Sequence, residues 1–308
     1  MKIYNNLEQF NKLEGTAVAL GNFDGVHLGH RKLISLACQC ARERGLKSAV
    51  FTFSNHPRDL IQKAGKVKNI LSQQDKEAII GQLGIDYLIN IPFTEEIMYM
   101  SPEDFTKHLL VDKLSIKAAF CGFNYNFGNK ASGTPQILEE LGKKYGFDLT
   151  VMEPFQIAGC LVSSTAIREM ISSGSMEACA QMLGTYYHIT GKVVSGKRLG
   201  RKLGFPTTNL MLDVNMASPQ NGVYATYCTY NGVRHKSVTN VGTKPTVGNF
   251  HKNVETYIFD FDEDIYGKEI KIEFVKFIRP ELKFDNIQQL TVAIADDCKK
   301  AKEIFLHI

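Results

Sequence analysis

The sequence predicts two joined domains of different class: an α/β domain built on a parallel sheet, then a small antiparallel β-barrel or sandwich with a C-terminal helix. Three observations carry this. Up to about residue 184, short apolar β-rich runs alternate with helix-patterned stretches, as parallel strands joined by crossover helices require. From Tyr187 the chain turns to strands and tight turns alone, and after Asp285 its apolar residues recur at helical spacing. At 308 residues and 44% hydrophobic content, there is enough chain for two cores.

The strand candidates of the first domain are Thr16 to Leu20, Ser48 to Phe53, Tyr87 to Ile91, Ala118 to Cys121 and Asp148 to Met152. Ser101-Pro102 and Thr134-Pro135 each set a capping hydroxyl before a proline at the first helical position, which marks two helix starts. A helical stretch from Ser163 to about Leu183 is interrupted near Gly174 and stopped by Gly184. With no low-complexity linker there, the domains are expected to span 1–183 and 184–308. In the second domain, Asn231-Gly232 sits between β-rich runs as a hairpin turn, and Asp264 to Gly267 separates Glu255-Thr-Tyr-Ile-Phe from Ile270-Lys-Ile-Glu-Phe. Asp285, with Gln288 three residues on, is the expected N-cap of the last helix.

Bulk properties exclude several classes. A formal charge of +4, from 36 basic and 32 acidic residues, is too mild for a polybasic nucleic-acid protein and suits phosphorylated ligands. The start, MKIYNNLEQF, is not a signal peptide, and no apolar run approaches the roughly 18 residues of a membrane span. A cytoplasmic protein with no membrane or nucleic-acid partner, monomeric or weakly self-associating, is expected. Seven scattered cysteines read as reduced thiols, and Cys38 and Cys40 are too close for the usual C-x-x-C spacing. A zinc site on His27, His30, Cys38 and Cys40 is disfavoured because the cysteines lie up to two or three turns along the helix.

The first chemical constellation is Gly21-Asn-Phe-Asp-Gly-Val-His-Leu-Gly-His30, which follows a predicted strand and opens a predicted helix. Free backbone N–H groups and the helix dipole attract phosphates there, and glycines let the backbone come close. The turn residues Gly21, Asn22, Phe23, Asp24 and Gly25 form the expected nucleotide cradle. His27 and His30, three apart, are placed to donate hydrogen bonds to oxygens that gain charge when an α-phosphate is attacked. H-x-G-H taken alone reads equally well as a capping loop with two surface histidines. Three further segments follow in order: Phe51-Thr-Phe-Ser-Asn-His-Pro57, Gly122-Phe-Asn-Tyr-Asn-Phe-Gly128 and Ser163-Ser-Thr-Ala-Ile-Arg168. Each falls where open α/β sheets bind ligands.

With these motifs the chain resembles the bacterial bifunctional riboflavin kinase and FAD synthetase family, whose first domain is a Rossmann-like H-x-G-H nucleotidyltransferase. The resemblance implies that Asn124 contacts flavin or nucleotide and that Ser164, Thr165 and Arg168 hold the triphosphate. A capped helix start with an Arg one turn inside is independently a good phosphate clamp. His56 has a weaker claim, since His56-Pro57 also reads as a strand-ending turn.

The second constellation begins at Gly191-Lys-Val-Val-Ser-Gly-Lys-Arg, which nearly spells a P-loop. Gly191, Gly196 and Lys197 have the spacing, but Arg198 stands where Ser or Thr must bind magnesium, and no apolar helix follows. What survives is a basic, phosphate-friendly loop through Gly196 and Lys197. Its continuation, Gly204-Phe-Pro206-Thr207-Thr-Asn209, resembles the P-T-A-N signature of riboflavin kinases. Thr207 and Asn209 are hard oxygen donors on one face of a strand, suited to a magnesium ion bridging ATP phosphates, while Thr208 points to the other face. Glu255, in an otherwise apolar strand, aligns with the family's proposed base; without the resemblance it reads as an outward-facing strand glutamate. Asn240 to Gly248 matches a loop beside the barrel mouth, and Arg279-Pro280 a feature near the flavin. The implied substrates are riboflavin, FMN and ATP with Mg2+. Retention of only one activity, or a non-catalytic flavin-sensing regulator, are the alternatives.

Overall fold

The computed structural model describes the chain except residues 11, 62–66, 196–199, 201–202 and 247–248, and except the side chains of 61, 244–246 and 249–251. It divides into two compact units, one of residues 1–67 and 72–164, the other of 68–71 and 165–308.

The first unit is a six-stranded parallel sheet of β1 (Lys2–Tyr4), β2 (Thr16–Leu20), β3 (Lys47–Phe53), β4 (Tyr87–Ile91), β5 (Ile116–Gly122) and β6 (Asp148–Met152), in the order β1-β4-β3-β2-β5-β6. All five expected strands are there. β1 escapes sequence reading because it is a three-residue edge strand with one buried side chain, too short to show a period. Every side chain of β2 is buried, as a central parallel strand covered on both faces requires. Its neighbours are β3 on one side and β5 on the other, so the winding reverses at β2 and leaves a crevice at its carboxyl end.

The helices are α1 (Leu28–Arg44), α2 (Arg58–Ile61), α3 (Gln73–Gln82), α4 (Glu95–Tyr99), α5 (Pro102–Asp104) and α6 (Pro135–Tyr145). Both expected hydroxyl caps are in place, Ser101 accepting from Asp104 N at 3.0 Å and Thr134 from Ile137 N at 3.4 Å. A π-helical stretch, Phe105–Lys113, follows α5, and a small hairpin of β7 (Gln156–Ile157) and β8 (Cys160–Leu161) ends the unit.

The second unit carries α7 (Ser164–Ser173, its first residue counted with the first unit) and α8 (Met176–Leu183) ahead of the barrel. By compactness α7 beyond Ser164 and all of α8 group with the barrel. The reason is packing: Gly174, at φ 77°, lies so close to Phe277 and Tyr224 that a Cβ there would sit 3.3 and 3.4 Å from them. The sheet comprises β9 (Tyr187–Lys192), β10 (Thr207–Met211), β11 (Gly222–Tyr230), β12 (Val233–Thr246), β13 (Asn249–Ile258) and β14 (Glu269–Pro280), antiparallel in the order β10-β13-β12-β11-β14-β9. A bridge in which Val194 N donates to Asn209 O at 2.8 Å joins the two edges and closes the barrel. Asn231 and Gly232, at φ 47° and 79°, make the expected primed hairpin turn between β11 and β12. The final helix, α9 (Ile287–Ile304), is capped by Asn286, which accepts from Gln289 N at 2.9 Å. The expected cap, Asp285, is one residue early; its own N–H instead donates to Gln289 Oε1 at 3.1 Å, so the box closes one position later. Among the described residues no helix is long and apolar enough to cross a membrane.

Candidate active sites

The loop between β2 and α1 is strained where it turns. Phe23 and Val26 take φ 50° and 38°, and Gly25 takes 84°. A β-branched residue there is held only by its surroundings, and such strain concentrates at functional sites. Both side chains are fully buried, which anchors the turn. Gly21 leaves room for the Phe23 ring, which a Cβ would meet at 3.3 Å.

His27 stands at the mouth of α1 as its N-cap, with Nδ1 accepting from His30 N at 3.2 Å. The two imidazoles stack at 3.5 Å between centroids and 15° between planes, and Phe23 presents its ring to His30 at 5.2 Å. Gly29 preserves the stack, since a Cβ there would come within 3.3 Å of the His27 ring. Burial pushes the His27 pKa down to about 4, and burial with the charges of His27 and Lys76 holds His30 well below the ordinary imidazole value. Both rings are therefore neutral at pH 7. With the Nδ1 lone pair of His27 engaged by a backbone N–H, its proton resides on Nε2, a donor available to an anion. His30 Nδ1 is enclosed without a hydrogen-bond partner among the described residues.

Other predicted residues gather at this end of the sheet. Ser164 Oγ donates to Asp24 O at 2.8 Å, tying the start of α7 to the turn. Asn22 O accepts from Thr52 Oγ1 at 2.9 Å, and Asn124 is exposed in the turn that leaves β5. His56 Nδ1 accepts from Arg58 N at 3.2 Å. Thr165 and Arg168 belong to the second unit, where Arg168 Nε donates to Lys68 O at 2.6 Å. Sequence reading missed Lys76, a 4% exposed lysine on α3 whose Nζ donates to Thr52 Oγ1 and Phe53 O, both at 3.0 Å.

In the barrel, Thr207 and Asn209 lie two apart on β10 and pair with Tyr257 and Glu255 of β13; Glu255 in turn faces Asn240 of β12. One residue brackets the cluster and was not foreseen: Asn253 Nδ2 donates to Asn209 Oδ1 at 3.1 Å and to Glu255 Oε1 at 2.8 Å. Thr208 faces away, its Oγ1 donating to Thr256 O at 3.3 Å, as strand alternation demands. Gly204 supplies φ 86° just before Pro206. Gly196 and Lys197 lie outside the described residues.

Beside this cluster a cavity of about 260 Å³ opens, lined by Thr207, Asn240, Glu255 and Tyr257 on the sheet and by Phe284 and Ile294 opposite. Arg279 and Asp297 stand in its wall as a two-pronged pair, Nε to Oδ1 at 2.8 Å and Nη2 to Oδ2 at 2.7 Å, with the Asp297 side chain 4% exposed. The Arg279-Pro280 feature is thus a buried bridge from β14 to α9.

The donor set at Thr207 and Asn209, a hydroxyl and an amide oxygen next to a carboxylate, fits a hard divalent cation. Magnesium takes few protein oxygens and completes its shell with water and phosphate.

Two family models match the chain, FAD synthetase over residues 9–166 and riboflavin kinase over 183–305. Two similar proteins are a bifunctional riboflavin kinase/FMN adenylyltransferase of Bacillus subtilis, 36% identical over 95% of this chain and 93% of that one, and its counterpart in Listeria monocytogenes, 35% identical over 94% and 93%. A solved structure described as a macrolide-efflux protein from Streptococcus pneumoniae aligns with a TM-score of 0.90 over 98% of each chain at 26% identity. The chain belongs to the bifunctional riboflavin kinase/FMN adenylyltransferase family.

Proposed function

We propose that the two units divide the family's two reactions, with FMN made beside Glu255 and FAD made at the strained turn before α1. The enzyme is a transferase that phosphorylates riboflavin with ATP and adenylylates the resulting FMN with a second ATP. The observation that carries the assignment of FAD formation is the neutral, stacked imidazole pair at a helix N-terminus.

In adenylyl transfer, an FMN phosphate oxygen attacks the α-phosphorus of ATP, a new P–O bond forms, and the bond to pyrophosphate breaks. Charge builds on the α-phosphate oxygens. His27 Nε2–H is a fixed neutral donor to that charge, and the α1 dipole adds to it. Neutrality matters because the donor then keeps its proton throughout the step. The Ser164 hydroxyl, donating to Asp24 O, braces the turn.

In riboflavin phosphorylation, the terminal ribityl hydroxyl attacks the γ-phosphorus and the bond to the β-phosphate oxygen breaks, leaving ADP. Glu255 orients that hydroxyl and accepts its proton. Asn253 fixes the Glu255 carboxylate, and the same amide fixes Asn209. Thr207 and Asn209 would hold magnesium, which when bound offsets phosphate charge. The 260 Å³ cavity is the proposed flavin pocket. A cytoplasmic setting, where ATP and free flavins are at hand, accords with this chemistry.

The test is to assay His30→Ala and Glu255→Ala separately with riboflavin, ATP and magnesium, resolving the flavins by chromatography. His30→Ala is expected to accumulate FMN without FAD; Glu255→Ala is expected to lose FMN formation yet convert supplied FMN to FAD. Loss of both activities in either variant, or of neither, defeats the division of labour.

A further inference from the structure

Lys76 is placed oddly for a lysine. It sits on α3, 4% exposed, and its ammonium is met by a hydroxyl and a backbone carbonyl, with no ion pair to any described carboxylate. Buried lysines are rare and expensive unless paired. The groups that accept from it, Thr52 Oγ1 and Phe53 O, are polar but neutral. The charged groups acting on it are Asp24 from the turn and Glu77 from its own helix, the latter already engaged by Asn90 Nδ2 at 2.8 Å. The groups that act on His30 are His27 and Lys76.

Two physical links run from this ammonium to the adenylyl-transfer site. The first is mechanical: Lys76 Nζ donates to Thr52 Oγ1 at 3.0 Å, and Thr52 Oγ1 donates to Asn22 O at 2.9 Å. Thus α3 holds the end of β3, which holds the strained turn. The second is electrostatic: its positive charge opposes protonation of His30, in addition to burial, and adds to the field that draws phosphate.

We propose that Lys76 is a positioning residue for adenylyl transfer, bracing the Gly21–Gly25 turn through Thr52 and adding a buried positive charge that helps keep His30 neutral. This rests on assigning FAD formation to the first unit. It gives a reason for keeping a buried cation, which makes no ion pair among the described residues, in a place where an apolar side chain would be cheaper.

The experiment uses the full chain and reads both reactions in each variant. Lys76→Met removes brace and charge; Thr52→Val keeps shape and charge but breaks the relay to Asn22. For Lys76→Met, kcat of FAD formation is expected to fall about tenfold to a hundredfold, because small misplacements of a reacting geometry cost up to that much. Riboflavin phosphorylation stays at the starting rate, which reports an intact barrel. Thr52→Val is expected to lose a smaller factor, roughly threefold to tenfold, through the turn alone. Only Lys76→Met should also move the acid limb of the FAD-forming kcat to higher pH, since His30 loses the positive neighbour that opposes its protonation. A purely structural lysine would lower the amount of active enzyme without moving that limb. The proposal is overturned if Thr52→Val and Lys76→Met both form FAD at the unmodified rate, or if Lys76→Met is impaired with an unmoved acid limb. Should Lys76→Met fail to fold, an unimpaired Thr52→Val overturns the bracing link. If His30→Ala still forms FAD, the underlying assignment fails; if His30→Ala is dead and Lys76→Met is not, only the role of Lys76 fails.

Discussion

Replacing Lys76 by methionine should change stability in a way that depends on pH, and the sign follows from its environment. Burial lowers its pKa from 10.5 to about 8, a difference that corresponds to about 3 kcal/mol. The folded chain binds this proton less readily than the unfolded chain does. The wild type therefore carries the full cost below about pH 8 and sheds it as pH rises toward the unfolded value. Methionine has no such cost, but it leaves Thr52 Oγ1 and Phe53 O without their donor, a loss of about 1–3 kcal/mol that does not vary with pH. Near pH 7 the variant is thus expected to be as stable as the wild type or slightly more so. Between about pH 7 and about pH 10 it should lose about 2–3 kcal/mol relative to the wild type. The chain has no tryptophan, so urea unfolding is best followed by hydrogen exchange of peptides from β2 and β3, which report the first unit. Taking the difference between the two proteins at each pH cancels most other titrating groups. A difference that stays flat across that range would refute a charged, buried Lys76 and leave the bracing role without its electrostatic half.

Two further outcomes follow from the same reasoning. Because His27 titrates near 4 and His30 well below its ordinary value, the rate of FAD formation should show no inflection near pH 6.5 and should fall only as the pH approaches about 5 and below; a single-turnover pH profile with a midpoint near 6.5 would show an exposed, unstacked pair. Arg279→Met strands the Asp297 carboxylate, so urea unfolding of the barrel should show a loss of about 3–5 kcal/mol, while Arg279→Met with Asp297→Leu should recover most of it; a single variant as stable as the wild type would mean that the pair is solvated in solution.

What the sequence disclosed and what it withheld separate along one physical line. H-x-G-H and P-T-x-N were legible because their chemistry is local: a turn opening a helix places His27 beside His30, and strand alternation places Thr207 beside Asn209 whatever else the chain does. The alternation of element types disclosed the fold for the same reason. Residues whose role depends on pairing across distant elements stayed hidden. Asn253 looks like the polar edge of a strand until the β10–β13 register sets Asn209 opposite Glu255. Asp297 looks like one more charge on an amphipathic helix until β14 delivers Arg279 to it.

Lys76 is the sharpest instance, and its helix did carry a signal. Gln73-Gln-Asp-Lys-Glu opens α3 with five polar residues in succession, so whichever face packs inward must pack polar side chains. In a helix set against a fully buried central sheet, that is only tolerable where the strand ends offer acceptors, and at a carboxyl edge those acceptors are the ones that also surround a ligand. A polar first turn on a helix laid against the carboxyl ends of parallel strands is therefore better read as the floor of a site than as a solvated face. By that reading, Thr52 and Asn90, polar residues near the carboxyl ends of β3 and β4, belong with Lys76, Gln73 and Glu77 to one connected polar layer beside the Gly21–Gly25 turn.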